Sequence, residues 1–162
     1  MPTHTHPVGI DGACLLALAI AYVVRNPAFH RQELFEFLQS RAQTDEFARQ
    51  MSAAARMSAD SSPAVFGNSL PANRSVTTAI ACFALSPHEY LGGIRSAIAM
   101  GDDTDTLAAM AGALAGAHLG VDALPTRLLD RLEDGLKGRE YIRQLALQLT
   151  AKRTSQWPIA HS

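Results

Sequence analysis

Apolar residues recur along this chain at intervals of three and four, and no stretch sustains the strict alternation that marks a half-buried strand. The pattern predicts a buried helix over Asp11–Val24, opened by Asp11 or Gly12 and stopped by Asn26 and Pro27. From Arg31 to Met57 the apolar positions Leu34, Phe35, Leu38, Phe47 and Met51 fit one bent helix, or two helices broken around residues 40–45. Residues 58–74 gather Ser, Pro, Gly and Asn and read as a long loop or a set of short turns. Helical spacing resumes over Ser75–Leu85 with Ser75 as its cap, and Ser86 with Pro87 opens another helix to about Met100. A helix of small side chains follows, then a connector over Val121–Pro125 and a short helix over Thr126–Leu136. The last predicted element is an amphipathic helix over Gly138–Leu149 with Ile142, Leu145 and Leu149 on one face. With no internal repeat, the expectation is one all-α domain over residues 1–150 and a flexible tail over 151–162.

Composition narrows the class. Hydrophobic residues make up 48% of the chain but aromatics only 6%, so Ala and Leu carry the packing. A net charge of −1 with dispersed basic residues gives no electrostatic case for nucleic acid or for a membrane surface. The polar start from Met1 to Gly9 does not read as a signal peptide, and the apolar run Ala13–Val24 is too short to span a bilayer. Cys14 and Cys82 fall on apolar helical faces, where buried free thiols are the default. A cytoplasmic protein is expected.

The densest chemistry is Gly101-Asp102-Asp103-Thr104-Asp105-Thr106, three carboxylates and two hydroxyls ahead of a helix. Such oxygens cap a helix start and suit its dipole. They are also the hard ligands that Mg²⁺ and Ca²⁺ take, and in a tight turn Asp103 and Asp105 can aim at one point with Thr106 adding a hydroxyl. In the helix that follows, Ala108, Gly112, Gly116 and Gly120 form one row of small residues and Ala109, Ala113 and Ala117 another. A Gly in a helix interior costs about 0.5–1 kcal/mol against Ala, so this pattern predicts close helix packing and burial on nearly all sides. His118 reads as a core or edge histidine, and His88 with Glu89 as a cap and dipole partner at a helix start.

These residues resemble the ADP-ribosylglycohydrolase family. Gly101 to Gly120 is similar to its Gly-Gly-Asp-Thr-Asp-Thr turn and small-residue helix. Thr3-His4-Thr5-His6-Pro7, with the Ala-rich stretch from Gly12 to Ala19, resembles its Thr-His-x-His-Pro segment. Phe66 to Ile80 is similar to its Gly-Asn-Gly-Ile and Ser-Val-Pro-Thr-Ala segment. Three positions depart from the pattern: Asp102 and Ser69 each replace a usual Gly, and Thr77 a usual Pro. The family's first acidic cluster has no counterpart, since Asp11 is the only acidic residue before Glu33, and the chain looks like the second half of such an enzyme.

The resemblance implies a compact, orthogonal helical domain without its N-terminal half. It implies a hydrolase that cleaves the glycosidic bond between ADP-ribose and a protein or small-molecule acceptor, through an oxocarbenium-like state. Two Mg²⁺ ions would serve a complete site, with Asp103, Asp105 and Thr106 as ligands from this half and the two carboxylates in the catalytic role. His4, Gly67, Asn68 and Leu70 are the implied substrate contacts, and His6 a structural neighbour of His4. Either the chain acts with its missing half present in another chain or a longer parent, or it is an inactive helical binding module that kept the scaffold. Open apolar faces are expected to demand a homodimer, a partner chain or poor solubility.

Overall fold

The computed structural model describes residues 5–67 and 71–156, with the side chains of the last helix through residue 152. The fold is all-α, and the described residues contain no strand. Helix α1 (Pro7–Arg25) begins a turn earlier than its pattern predicts. Pro7 stands at the first helical position, where a missing N–H does no harm, and His6 Nδ1 accepts the Val8 N–H at 3.3 Å. Asp11 and Gly12 therefore lie inside the helix and are buried, rather than opening it. At 19 residues α1 is long and apolar enough to cross a membrane by length and composition, contrary to the shorter apolar run expected from the sequence. Here Leu15, Ala19 and Val23 are buried in the core, while Ile10, Ala13, Cys14, Ala17, Ala21 and Val24 are exposed.

Residues 31–57 form two helices, α2 (Arg31–Arg41) and α3 (Asp45–Ala55), packed against each other. Helix α4 (Ala72–Leu85) starts at Ala72 with Pro71 at its N-cap, so Ser75 is a buried interior residue and not the cap. Every residue from Ser75 to Ala84 is buried, because α4 packs against α1, α3, α5 (Tyr90–Ala99) and α6 (Thr104–Leu119). Helix α5 opens at Tyr90 after a turn over residues 86–89, four positions later than the sequence suggests. It passes so near α4 that a Cβ on Gly93 would lie 3.0 Å from the Phe83 Cα and 3.1 Å from the Cys82 carbonyl.

The small-residue helix α6 corrects the expectation of burial on nearly all sides. It buries Leu107, Ala111, Leu114 and Ala115, while Ala109 and Ala113 are exposed. A Cβ at Gly112 would meet side chains and not backbone, the end of Ile94 at 3.3 Å and the Tyr90 hydroxyl at 3.9 Å, and one at Gly116 would meet the Tyr90 ring at 3.7 Å. The tight backbone approach belongs instead to Gly93.

The chain divides into two compact units, Met1–Ala123 and Leu124–Ser162. The first holds α1 to α6 and the main core, with Phe35, Phe47, Met51, Ile80, Phe83 and Leu114 among its buried residues. In the second, α7 spans only Thr126–Leu129, and α8 (Arg139–Gln156) continues as helix where a tail was expected from residue 151. Arg139 joins the two, donating to the Leu129 carbonyl at 3.0 Å and to Asp130 at 3.2 Å.

Candidate functional site

Two of the motifs meet at one cavity. Its volume is about 500 Å³, and His6, Val8 and Gly9 from the start of α1, Glu46 from α3, and Pro71, Ala72 and Asn73 from the start of α4 line it. Gly12 makes the meeting possible, since a Cβ there would stand 3.0 Å from the Phe47 ring and 3.3 Å from the Ala72 methyl. Pro71 offers no side chain to cap α4, and its carbonyl takes the Arg74 N–H at 2.9 Å. The start of that helix, the positive end of its dipole, faces the cavity through Pro71, Ala72 and Asn73. The lining therefore combines an imidazole, an amide, a carboxylate and two helix starts. This set suits a ligand with both hydroxyls and negative charge.

Gly67 sits where the turn before α4 needs it. Its φ of +82° is open to glycine, its N–H donates to the Ala64 carbonyl at 3.0 Å, and its own carbonyl accepts the Thr78 hydroxyl. A Cβ at Gly67 would also press on Arg74 at 3.1 Å. Thr77, which replaces the family's usual Pro, sets its hydroxyl between the Asn73 carbonyl at 2.7 Å and Gln50 Oε1 at 2.8 Å and so steadies the first turn of α4. His4, Asn68 and Leu70, the other implied substrate contacts, lie outside the described residues. Asn73 and Glu46 were not singled out by sequence reasoning. An amide two residues after Pro71, in the first turn of a helix with no capping side chain, was the available signal for Asn73.

The acidic turn adopts a strained entry. Gly101 (φ +73°) and Asp102 (φ +60°) are both left-handed, and the Thr104 N–H closes on the Asp102 carbonyl at 2.8 Å. Helix α6 then starts at Thr104, which puts Asp105 and Thr106 in its first turn and Asp103 at the N-cap. The Asp103 side chain caps no backbone N–H. The Asp105 carboxyl beside it is held below its ordinary range, by Asp103 first and then by the N–H groups of Thr106 and Asp105 itself. The two carboxylates are neighbours, and Thr106 adds a hydroxyl in the same turn. This oxygen set suits one side of a hard divalent cation, and Mg²⁺ ordinarily completes its octahedron with water or other carboxylates. Among the described residues no group of three or more His, Cys, Asp and Glu side chains gathers as a metal site. The acidic turn is not in the lining of the cavity.

The remaining polar residues play structural parts. His118 stands between the Phe29 and Phe83 rings at 5.6 and 5.8 Å, the edge position expected of it. Glu89 is the N-cap of α5 and pairs with Arg95 at 2.7 Å.

A profile of the ADP-ribosylglycohydrolase family matches residues 1–158. The chain is 48% identical over 69 residues to ADP-ribosylhydrolase ARH3 of Danio rerio, a stretch covering 36% of this chain and 19% of that protein. Against ADP-ribosylhydrolase ARH3 of Homo sapiens it is 30% identical over 156 residues, 76% of this chain and 43% of the relative. The Mus musculus protein of the same name is 27% identical over 156 residues and is covered to 42%. The long matches thus span less than half of each relative. No solved structure gives a significant match.

Proposed function

The chain belongs to the ADP-ribosylglycohydrolase family, and from that premise we propose that it supplies one half of a hydrolase cleaving the bond between ADP-ribose and its acceptor. The observation that carries this reading is the cavity at which the starts of α1 and α4, and with them two of the three motifs, come together. In it the start of α4 and the Asn73 amide receive the diphosphate, and Glu46 accepts from a sugar hydroxyl. Asp103, Asp105 and Thr106 would hold Mg²⁺, which when bound supplies positive charge that orients hydroxyls and positions water. With both carboxylates engaged in that way, the proton transfers of glycoside cleavage fall to groups outside this set.

A half-site needs a partner. The exposed face of α1, running through Ile10, Ala13, Cys14, Ala17, Ala21 and Val24, carries no charge. Such a face suits the apolar side of another helix, from a partner chain or a second copy. The same face favours a second reading, a module that binds ADP-ribose or a protein without catalysis. Two free thiols, Cys14 and Cys82, accord with a reducing cytoplasm.

Calorimetry of the purified chain with ADP-ribose, with and without Mg²⁺, tests the reading. Weak binding that Mg²⁺ strengthens and that Asn73→Ala lowers tenfold or more supports it. Equal heats for the variant and the native chain would remove the cavity from the proposal. ADP-ribose binding with no turnover after addition of a complementary half would leave the non-catalytic module standing.

A further inference from the structure

Away from that cavity, α2 and α3 form an open groove of about 480 Å³ lined by Gln39, Ala48, Arg49, Ser52 and Arg56. Arg49 and Ser52 lie three positions apart on one stripe of α3, and Arg56, the C-cap residue just past its end, follows four positions later. Arg49 and Arg56 lie two turns apart, about 10 Å along the axis, with the Ser52 hydroxyl between them. Arg56 donates to Ser52 Oγ at 2.8 Å. Among the described residues neither guanidinium meets a carboxylate, since the ion pairs there belong to Arg95, Arg139 and Arg143. Glu36, one turn before Gln39 on α2, accepts from Gln32 at 2.7 Å and is not in the lining.

We propose that this groove binds a diphosphate group, with one guanidinium on each phosphoryl and Ser52 and Gln39 donating between them. The lining is two guanidinium side chains with their aliphatic stems, a hydroxyl, an amide and one Ala, with no aromatic or branched aliphatic side chain of the kind that anchors a peptide. Guanidinium forks match phosphate oxygens bidentately, and two forks separated along a helix serve two linked phosphoryl groups better than one. A free pyrophosphate and a nucleoside diphosphate offer the same chemistry to the groove. The proposal uses none of the residues of the ADP-ribose cavity and stands or falls apart from it.

The test is titration of the full chain with inorganic pyrophosphate, orthophosphate and ADP, followed by calorimetry. Pyrophosphate is expected to bind at least tenfold more tightly than orthophosphate, and Arg49→Ala or Arg56→Ala to weaken it tenfold or more. Arg95→Ala, which removes an equal charge on α5, should change it less than twofold. ADP binding that Arg49→Ala weakens and Asn73→Ala leaves unchanged identifies a nucleotide as the source, whereas pyrophosphate binding of that kind without ADP identifies the free anion. Arg49 lies on the exposed side of α3, where Ala has the higher helix propensity, and Arg56 is its exposed C-cap residue, so circular dichroism should show an unchanged fold. Absence of pyrophosphate binding, equal weakening by Arg95→Ala, or binding abolished by Asn73→Ala and untouched by Arg49→Ala would each overturn the assignment.

Discussion

The Asp11 carboxylate on α1 accepts the Thr44 hydroxyl at 2.7 Å and the Thr44 N–H at 2.8 Å, so one helix caps the start of another. The same oxygen takes the Gln43 N–H at 3.0 Å. Thr44 is the N-cap residue of α3, yet its hydroxyl makes no capping bond and donates to Asp11. A residue buried to 1% exposure thus fixes α3 against α1, and with it Glu46 against the cavity.

Asp11→Ala should accordingly destabilise the protein by about 3 kcal/mol, since it leaves buried N–H groups without an acceptor. Asp11→Asn keeps an oxygen in place and should lose about 1 kcal/mol. Urea denaturation monitored by circular dichroism measures both. Equal stability of Asp11→Ala and the native chain would show that water replaces the cap at no penalty.

Asp102 carries a positive φ that glycine adopts freely, and the family's usual residue there is Gly. Relief of the left-handed strain outweighs the greater freedom that glycine has when unfolded, so Asp102→Gly should stabilise the ion-free chain by roughly 0.5–1 kcal/mol. Thermal unfolding at low and high salt checks it. A gain that vanished at high salt would assign the effect to removed charge and not to backbone geometry.

Much of this was legible in the residues themselves. The helical spacing, the break after Arg41 and the acidic turn all follow from local pattern, which needs no knowledge of distant contacts. The starts of α1 and α4 were misplaced for a tertiary reason. Asp11 and Ser75 look like caps along the sequence, but one caps a different helix and the other is buried in a four-sided core. The small residues of α6 drew attention to close packing there, whereas the tight crossing depends on Gly93, which only the approach of α4 reveals. The cavity was half visible: the motifs were found, but Glu46 reaches it from a helix that no motif covers.

The two thiols should separate cleanly by reactivity. Burial alone pushes the Cys82 thiol from an ordinary 9.0 up to about 11, while Cys14 is exposed on α1. The thiolate is the reacting form, so at mildly alkaline pH an alkylating reagent should modify Cys14 alone in the native chain and both residues after unfolding. A raised thiol pKa favours the neutral fold, so its stabilising contribution is complete below the ordinary value and is lost as pH rises towards 11. Mass spectrometry of the alkylated protein decides the matter. Native modification of Cys82 at the rate of Cys14 would mean that α4 opens readily. Protection of Cys14 on adding a complementary half would place the partner on the uncharged face of α1.

The acidic turn makes the sharpest prediction. Asp103 and Asp105 are neighbours whose negative charges a divalent cation would relieve, and Asp105 is held below the ordinary carboxyl range by Asp103 and the Thr106 N–H. Protons and the cation compete for the same oxygens, so Mg²⁺ affinity should be flat near neutrality and fall as pH drops into the carboxylate range. The linkage has the same sign without the ion. A depressed carboxyl stabilises the fold at neutral pH and loses that contribution as pH falls through its lowered value, weakly here because the group is fully exposed. Asp103→Asn and Asp105→Asn should each abolish Mg²⁺ binding in calorimetry, with only a modest change in the ion-free melting temperature. Thr106→Val should weaken binding less, since it removes one neutral ligand. If Asp105→Asn bound Mg²⁺ like the native chain but melted markedly lower, the turn would be a helix start and nothing more: its carboxylate would be serving the N–H groups of α6, and the ion would have to be sought elsewhere.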